Sequence, residues 1–131
     1  MNLGTIISRS ARYWPQHEAV VDSRLRLTFA ELEQRTNRLA SGLLGLQLSE
    51  GAHIALLAPN RVELVEAEVA LYKAAMVKVP INARLSIDEI IRVLEDSQSV
   101  GVITIPAFAK AIQQRRAELP HLQRIVCLGE E

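Results

Sequence analysis

Two rhythms of apolar and polar residues divide this chain. In its first part the apolar positions recur every three to four residues. Leu3, Ile6, Ile7, Ala11 and Trp14 follow that spacing, and they predict an amphipathic helix over residues 3–14 with those side chains inward. Pro15 ends it, because the residue before a proline is pushed out of the helical region. Ala19-Val20-Val21 and Leu25-Arg26-Leu27 flank the polar turn Asp22-Ser23-Arg24 and predict a small β hairpin. Thr28-Phe29-Ala30-Glu31 has the form of a capping box. It opens a long helix whose inner face is Phe29, Leu32, Thr36, Leu39, Ala40 and Leu43.

After Gly51 the rhythm changes. Residues 54–58 form a continuous apolar run, as expected of a strand covered on both faces. Pro59-Asn60 stops it, and Asn60 is placed to cap a helix running to about residue 75. Residues 77–81 form the next strand. Ser86-Ile87-Asp88-Glu89 is a second capping box, with Ile87, Ile90, Ile91 and Leu94 on the inner face. A third strand covers 100–103, a helix begins near Pro106, and a fourth strand covers 124–128. Proline suits a first helical turn because its missing amide is not needed there. The expected fold is α/β, with a mainly parallel sheet flanked by helices and a small N-terminal β hairpin.

Composition narrows the function classes. The 131 residues suffice for one hydrophobic core. Fifteen basic residues balance fifteen acidic ones, so no general field attracts nucleic acid. Aromatics make up 4%, too few for a base-stacking platform. No apolar run approaches the ~20 residues that span a bilayer, and the N-terminus lacks the pattern of a signal peptide. Cys127 is the one cysteine. Its apolar surroundings predict a buried structural thiol, and the absence of disulfides is compatible with a cytoplasmic protein. His17, His53 and His121 share no metal-ligand spacing. Glu63 and Glu66, three apart on one helix, are expected to face solvent.

Several short motifs occur in a fixed order: Leu27-Thr28-Phe29-Ala30-Glu31-Leu32, Asn37-Arg38-Leu39-Ala40-Ser41-Gly42-Leu43, Ile54-Ala55-Leu56-Leu57-Ala58-Pro59-Asn60, and the run from Lys73 through Pro80, Asn82 and Arg84 to Leu85. In this order they resemble the opening of the adenylate-forming enzymes, the superfamily of acyl-CoA synthetases, luciferases and peptide-synthetase adenylation domains. The likeness runs from about Leu3 to about Leu128. It implies that residues 1–131 are an N-terminal subdomain portion of an AMP-dependent synthetase whose remainder is its first partner. The whole enzyme would be an acid–CoA ligase using ATP, magnesium and CoA on a fatty or other carboxylic acid. The family's Thr/Ser/Gly-rich phosphate loop ending in Pro-Lys-Gly has no match here, so no catalytic residue, bound metal or tightly held cofactor is expected in this chain. Glu130-Glu131 fall where the resembled family continues, and apolar surface normally covered by the rest of the enzyme would favour a homo-oligomer.

In an open parallel sheet, ligands approach the carboxyl ends of the strands. That singles out Pro59-Asn60-Arg61, Pro80-Ile81-Asn82-Ala83-Arg84 and Thr104-Ile105-Pro106. Pro80 and Asn82 are candidates for a substrate-channel wall, against the simpler reading of Asn as a turn former. Arg84, less easily explained by turn chemistry, and Lys110 on the last helix are candidates for a place near CoA. Lys110 is matched by resemblance to the acetate-activating branch. The family's usual glycine is replaced by Ala75 and a small aliphatic by Met76; both add bulk at a helix end. An adenylation domain loading a carrier protein, and a non-catalytic flavodoxin-like binding module, are the alternatives. Against the latter, Ala58-Pro59-Asn60 stands where a phosphorylated receiver needs acidic residues.

Overall fold

The computed structural model describes residues 2–129; the Glu130-Glu131 end lies outside them. By its internal contacts the chain forms two units, Met1–Glu50 with Asn60–Met76, and Gly51–Pro59 with Val77–Glu131.

The first unit holds helix α1 (Gly4–Tyr13), strands β1 (Glu18–Val21) and β2 (Arg26–Thr28), and helices α2 (Phe29–Gly45) and α3 (Val62–Lys73). β1 and β2 pair antiparallel as the predicted hairpin, with an irregularity between Glu18 and Val20. The capping box at α2 is present in both directions: the Thr28 hydroxyl accepts from the Glu31 amide and the Glu31 carboxylate accepts from the Thr28 amide. Leu27, Leu32 and Val62 are buried together, with Ile7, Ala19, Val20 and Leu25 packed around them.

Three expectations are corrected here. The periodic apolar residues of α1 are not its inner face: Leu3, Ile6 and Trp14 are exposed, and Gly4 is the buried residue. A β-carbon on Gly4 would stand 2.5 Å from Lys73 Cγ and 2.9 Å from the Lys73 amide nitrogen. Glycine lets α1 approach α3 at that point, and the closeness of the two backbones selects the inner face. Asn60 does not cap α3. Its N-cap residue is Arg61, without a side-chain cap, and the Val62 amide instead donates to Asp22 Oδ2 at 2.9 Å. The cap comes from the hairpin turn, forty residues away. Glu66, expected in solvent, is 6% exposed and ion-paired with Arg35.

The second unit is the sheet, of strands β3 (His53–Leu57), β4 (Val77–Pro80), β5 (Gly101–Thr104) and β6 (Arg124–Cys127), with helices α4 (Ile87–Asp96) and α5 (Pro106–Gln114) and a 3-10 turn Arg116–Glu118. The order is β4-β3-β5-β6 and every pairing is parallel. Burial follows position in the sheet. Residues 54–57 of β3 and all of β5 are buried, whereas the edge strands β4 and β6 are exposed at both ends. The edge position of β6 corrects the expectation for Cys127, whose thiol is exposed. One face of the sheet packs Ala55, Leu57 and Val102 against Ile90, Ile91 and Leu94 of α4 and Ile112 of α5. The second capping box, Ser86 with Glu89, and Pro106 in the first turn of α5 are as predicted.

Candidate functional site

The strand order places a topological switch in the sheet. From β3 the chain moves outward to β4, then returns to the other side of β3 to form β5 and β6. In such sheets ligands collect at the carboxyl ends of the strands about that switch. There β3 runs into Ala58-Pro59, β4 into Pro80-Ile81-Asn82-Ala83-Arg84, and β5 into Ile105-Pro106. Thr104 ends β5 fully buried, its hydroxyl donating to the Leu57 carbonyl at 2.6 Å. It ties the two central strands together where they stop.

Pro80 and Asn82 are exposed beyond β4. The Asn82 side-chain oxygen accepts from the Arg84 amide at 2.9 Å, and its carbonyl accepts from the Leu85 amide at 3.2 Å. This is an Asx turn, so the asparagine shapes the loop while its face remains open to a ligand. Arg84 and Lys110 are both exposed, and neither takes part in an ion pair among the described residues. The two are not brought together: Arg84 follows β4, Lys110 lies on α5 after β5, and β3 runs between those strands.

A helix N-terminus offers free amides and a positive dipole end to a phosphate. The N-termini in this chain are already closed to one. At α3 the Asp22 carboxylate takes the Val62 amide. That bond, with the Arg24 and Leu25 amides, holds the Asp22 carboxyl at about 2, below its ordinary 3.8. At α4 Glu89 occupies the Ser86 amide and Ser86 the Glu89 amide. At α5 Pro106 removes an amide altogether. Among the described residues no group of three or more His, Cys, Asp or Glu side chains is placed to hold a metal ion. The donors of this chain therefore do not fit a nucleotide triphosphate or its magnesium.

The first unit contains a polar cluster that the sequence reading passed over. Lys73 Nζ donates to Glu33 Oε2 at 2.6 Å, Thr36 Oγ1 at 2.9 Å and Asn37 Oδ1 at 2.8 Å. Ser8 donates to Glu33 Oε1 at 2.8 Å. Burial opposes ionisation of Glu33, but the bonds from Lys73 and Ser8 outweigh it and hold its carboxyl below the usual range. A groove of about 400 Å³ lies over this cluster, lined by Asn2, Thr5, Ser8, Ser41, Leu44 and Lys73 among others. The spacing Glu33, Thr36, Asn37 on one side of α2 was visible in the sequence; its partner Lys73, on another helix, was not. With every donor of Lys73 satisfied, the cluster's evident work is to join α1, α2 and α3.

The architecture is thus a doubly wound parallel sheet with closed helix N-termini and an open edge of loops beyond its strands. The chain belongs to the AMP-binding enzyme family, whose model matches residues 7–130. It is similar to a feruloyl-CoA synthase of an Amycolatopsis species, with 36% identity over 110 residues, covering 84% of this chain and 22% of that protein. The long-chain-fatty-acid–CoA ligase FadD13 of Mycobacterium tuberculosis shares 34% over 119 residues, covering 89% of this chain and 24% of the relative. Among solved structures, a Mycobacterium tuberculosis fatty acyl CoA synthetase superposes with a TM-score of 0.88 at 31% identity, over 97% of this chain and 26% of that one. The anthranilate CoA ligase AuaEII, in complex with anthranoyl-AMP, superposes with a TM-score of 0.92 at 26% identity, over 98% of this chain and 25% of that one. The chain spans between a fifth and a quarter of the length of these curated relatives.

Proposed function

We propose that this chain is the scaffold and channel-wall portion of a cytoplasmic, ATP-dependent, AMP-forming acid–CoA ligase. The observation that carries the reading is the family match across residues 7–130, together with relatives named as CoA ligases. In the whole enzyme a carboxylate oxygen attacks the α-phosphorus of ATP, forming an acyl-adenylate and releasing pyrophosphate. The CoA sulfur then attacks the acyl carbon, forming the thioester and releasing AMP. Magnesium, when bound, would screen the phosphate charge. Neither it nor ATP is held by this chain, since the helix N-termini that could receive a phosphate are occupied. Pro80 and Asn82 form part of the wall of the acyl channel, and Arg84 and Lys110 lie toward CoA. Both cations are exposed and without carboxylate partners, so they are available to an anion. Alone, the chain self-associates through apolar surface that the remainder of the enzyme covers.

Grafting tests this reading. Residues 1–129 would replace the matching segment of the FadD13 ligase, and pyrophosphate release would be followed with ATP, magnesium and long-chain, benzoic and hydroxycinnamic acids. The expected result is a folded chimaera that forms thioester, and an ungrafted chain that releases no pyrophosphate. Arg84→Ala and Lys110→Ala in the chimaera should each raise KM for CoA about tenfold, on the order of one charge-assisted contact. Pyrophosphate release by the chain alone would overturn the scaffold role. A folded chimaera inactive on every acid would overturn the ligase reading. A KM for CoA unchanged in both variants would remove Arg84 and Lys110 from the CoA site.

A further inference from the structure

Helix α1 carries an outward face that its own unit does not cover. Leu3 is 46% exposed, Ile6 52%, Tyr13 62% and Trp14 53%. On a helical wheel Leu3, Ile6 and Tyr13 share one side, with Trp14 continuing it at the helix end. The opposite side is fixed inward. Gly4 is pressed against Lys73, Ser8 bonds Glu33, and Ile7 packs on the small core of the hairpin. The exposed face is therefore not available for burial within the unit.

Its charge is one-sided. Arg9 and Arg12 lie on α1, both exposed, and no acidic residue precedes Glu18. Glu18 is itself occupied by Arg26. Arg24, Arg35 and Arg61 in the same unit are also paired with carboxylates, whereas Arg9 and Arg12 take part in no ion pair among the described residues. The composition is that of an interfacial helix. Aliphatic side chains and amphipathic aromatic rings sit on one face, and arginines whose stems can lie along apolar surface flank it. Tyrosine and tryptophan prefer the headgroup region, where the ring is apolar and the O–H or N–H stays wet.

We propose that α1 docks on the surface of an anionic lipid bilayer, with Leu3, Ile6, Tyr13 and Trp14 entering the headgroup boundary and Arg9 and Arg12 on the lipid phosphates. The helix lies on the membrane and does not cross it; among the described residues no helix is long and apolar enough to span. The charge pattern favours lipid over a second copy of the chain: an antiparallel contact of two such faces would bring four arginines together with no carboxylate between them.

Trp14 is the single tryptophan of the chain, so its fluorescence reports on this face alone. The 131-residue chain would be titrated with vesicles of phosphatidylcholine and phosphatidylglycerol, and with vesicles of phosphatidylcholine only. The expected result is a blue shift and loss of acrylamide quenching with the anionic vesicles, co-sedimentation with them, and little of either with the neutral ones. Arg9→Gln and Arg12→Gln should each lower partitioning about fivefold, the effect of one basic residue near an anionic surface. Ile6→Ser and Tyr13→Ser alter exposed positions, so circular dichroism should be unchanged while the Trp14 shift is lost. Three outcomes would overturn the proposal: no shift with anionic vesicles, an equal shift with neutral ones, or a shift that follows protein concentration without lipid. None of these readouts uses ligase activity, so this inference and the ligase reading fail separately.

Discussion

The two units of this chain are stabilised in different ways. In the sheet unit the interior is aliphatic: Ala55, Leu57, Val102, Ile90, Ile91, Leu94 and Ile112 meet with no charged group among them. Its ion pairs, such as Arg115 with Asp88 and Glu118, are on the surface. In the helix-and-hairpin unit the apolar cluster is small, and charges hold elements together at partly buried sites. Lys73 joins Glu33, Arg35 joins Glu66, and Arg24 and Arg61 converge on Glu63. The sheet unit should thus respond mainly to changes in volume, and the helical unit to changes in charge and pH.

The largest expected effect tests the first half of that contrast. Ile90→Ala, at 1% exposure, should cost about 3–4 kcal/mol in urea denaturation, from lost burial plus the cavity left behind. An effect below about 1 kcal/mol would show that the α4 face is not packed as described. Next, Arg35→Met leaves the buried Glu66 carboxylate unpaired and should cost about 2–3 kcal/mol. Glu66→Gln leaves only the half-exposed Arg35 without a partner and should cost less. Equal costs would contradict the buried-charge account. Gly4→Ala follows, at about 1–3 kcal/mol, because the new methyl meets the α3 backbone as well as the flexible Lys73 side chain.

Acid should separate the units further. Arg61 holds the Glu63 carboxyl at about 2, against an ordinary 4.5, and amides hold Asp22 at about 2. A carboxyl lowered on folding adds stability that is complete above its unfolded value and is lost as pH falls through the folded one. The helical unit should therefore weaken between about pH 4.5 and pH 2. Amides of α3 should lose hydrogen-exchange protection in that window before those of β3 and β5. The reverse order would break the comparison. The smallest effect is a gain. Ala75 has φ of 55° and closes α3, with its amide donating to the Tyr72 carbonyl and the Met76 amide to that of Leu71. This left-handed closure normally takes glycine. Ala75→Gly should stabilise by about 0.5–1 kcal/mol, read as a rise in Tm.

These particulars show what the sequence disclosed. The four parallel strands were legible because a strand buried on both faces must be apolar throughout. Both capping boxes were legible because their partners lie three residues apart. The cap of α3 was not, since Asp22 and Val62 are distant in the chain. Nor was the burial of Glu66, which depends on Arg35 in another helix. The orientation of α1 was misread because periodicity weighs side chains, and the contact that fixes the helix is made by a residue without one. At Ala75 the expected consequence was bulk, but the residue is exposed and what glycine would contribute is backbone freedom. Of the site, Asn82 was legible as a turn former and the exposure of Lys110 as that of a surface helix. The helix N-termini closed by Asp22, Glu89 and Pro106 became apparent as a set only in the fold.

The strand order has a further consequence for a chain made from its N-terminus. β3 is the first strand of its sheet to leave the ribosome and one of the two that end up in the interior. Its neighbours at Ile54 are Lys78 on one side and Gly101 on the other. Until both have been synthesised, Ile54-Ala55-Leu56-Leu57 has at least one unpaired edge and no finished core to enter. Such non-local pairing is slow and leaves an aggregation-prone apolar strand open. The nascent chain therefore presents a chaperone-binding segment for most of its own translation, and the most buried strand of the finished sheet is the one longest at risk.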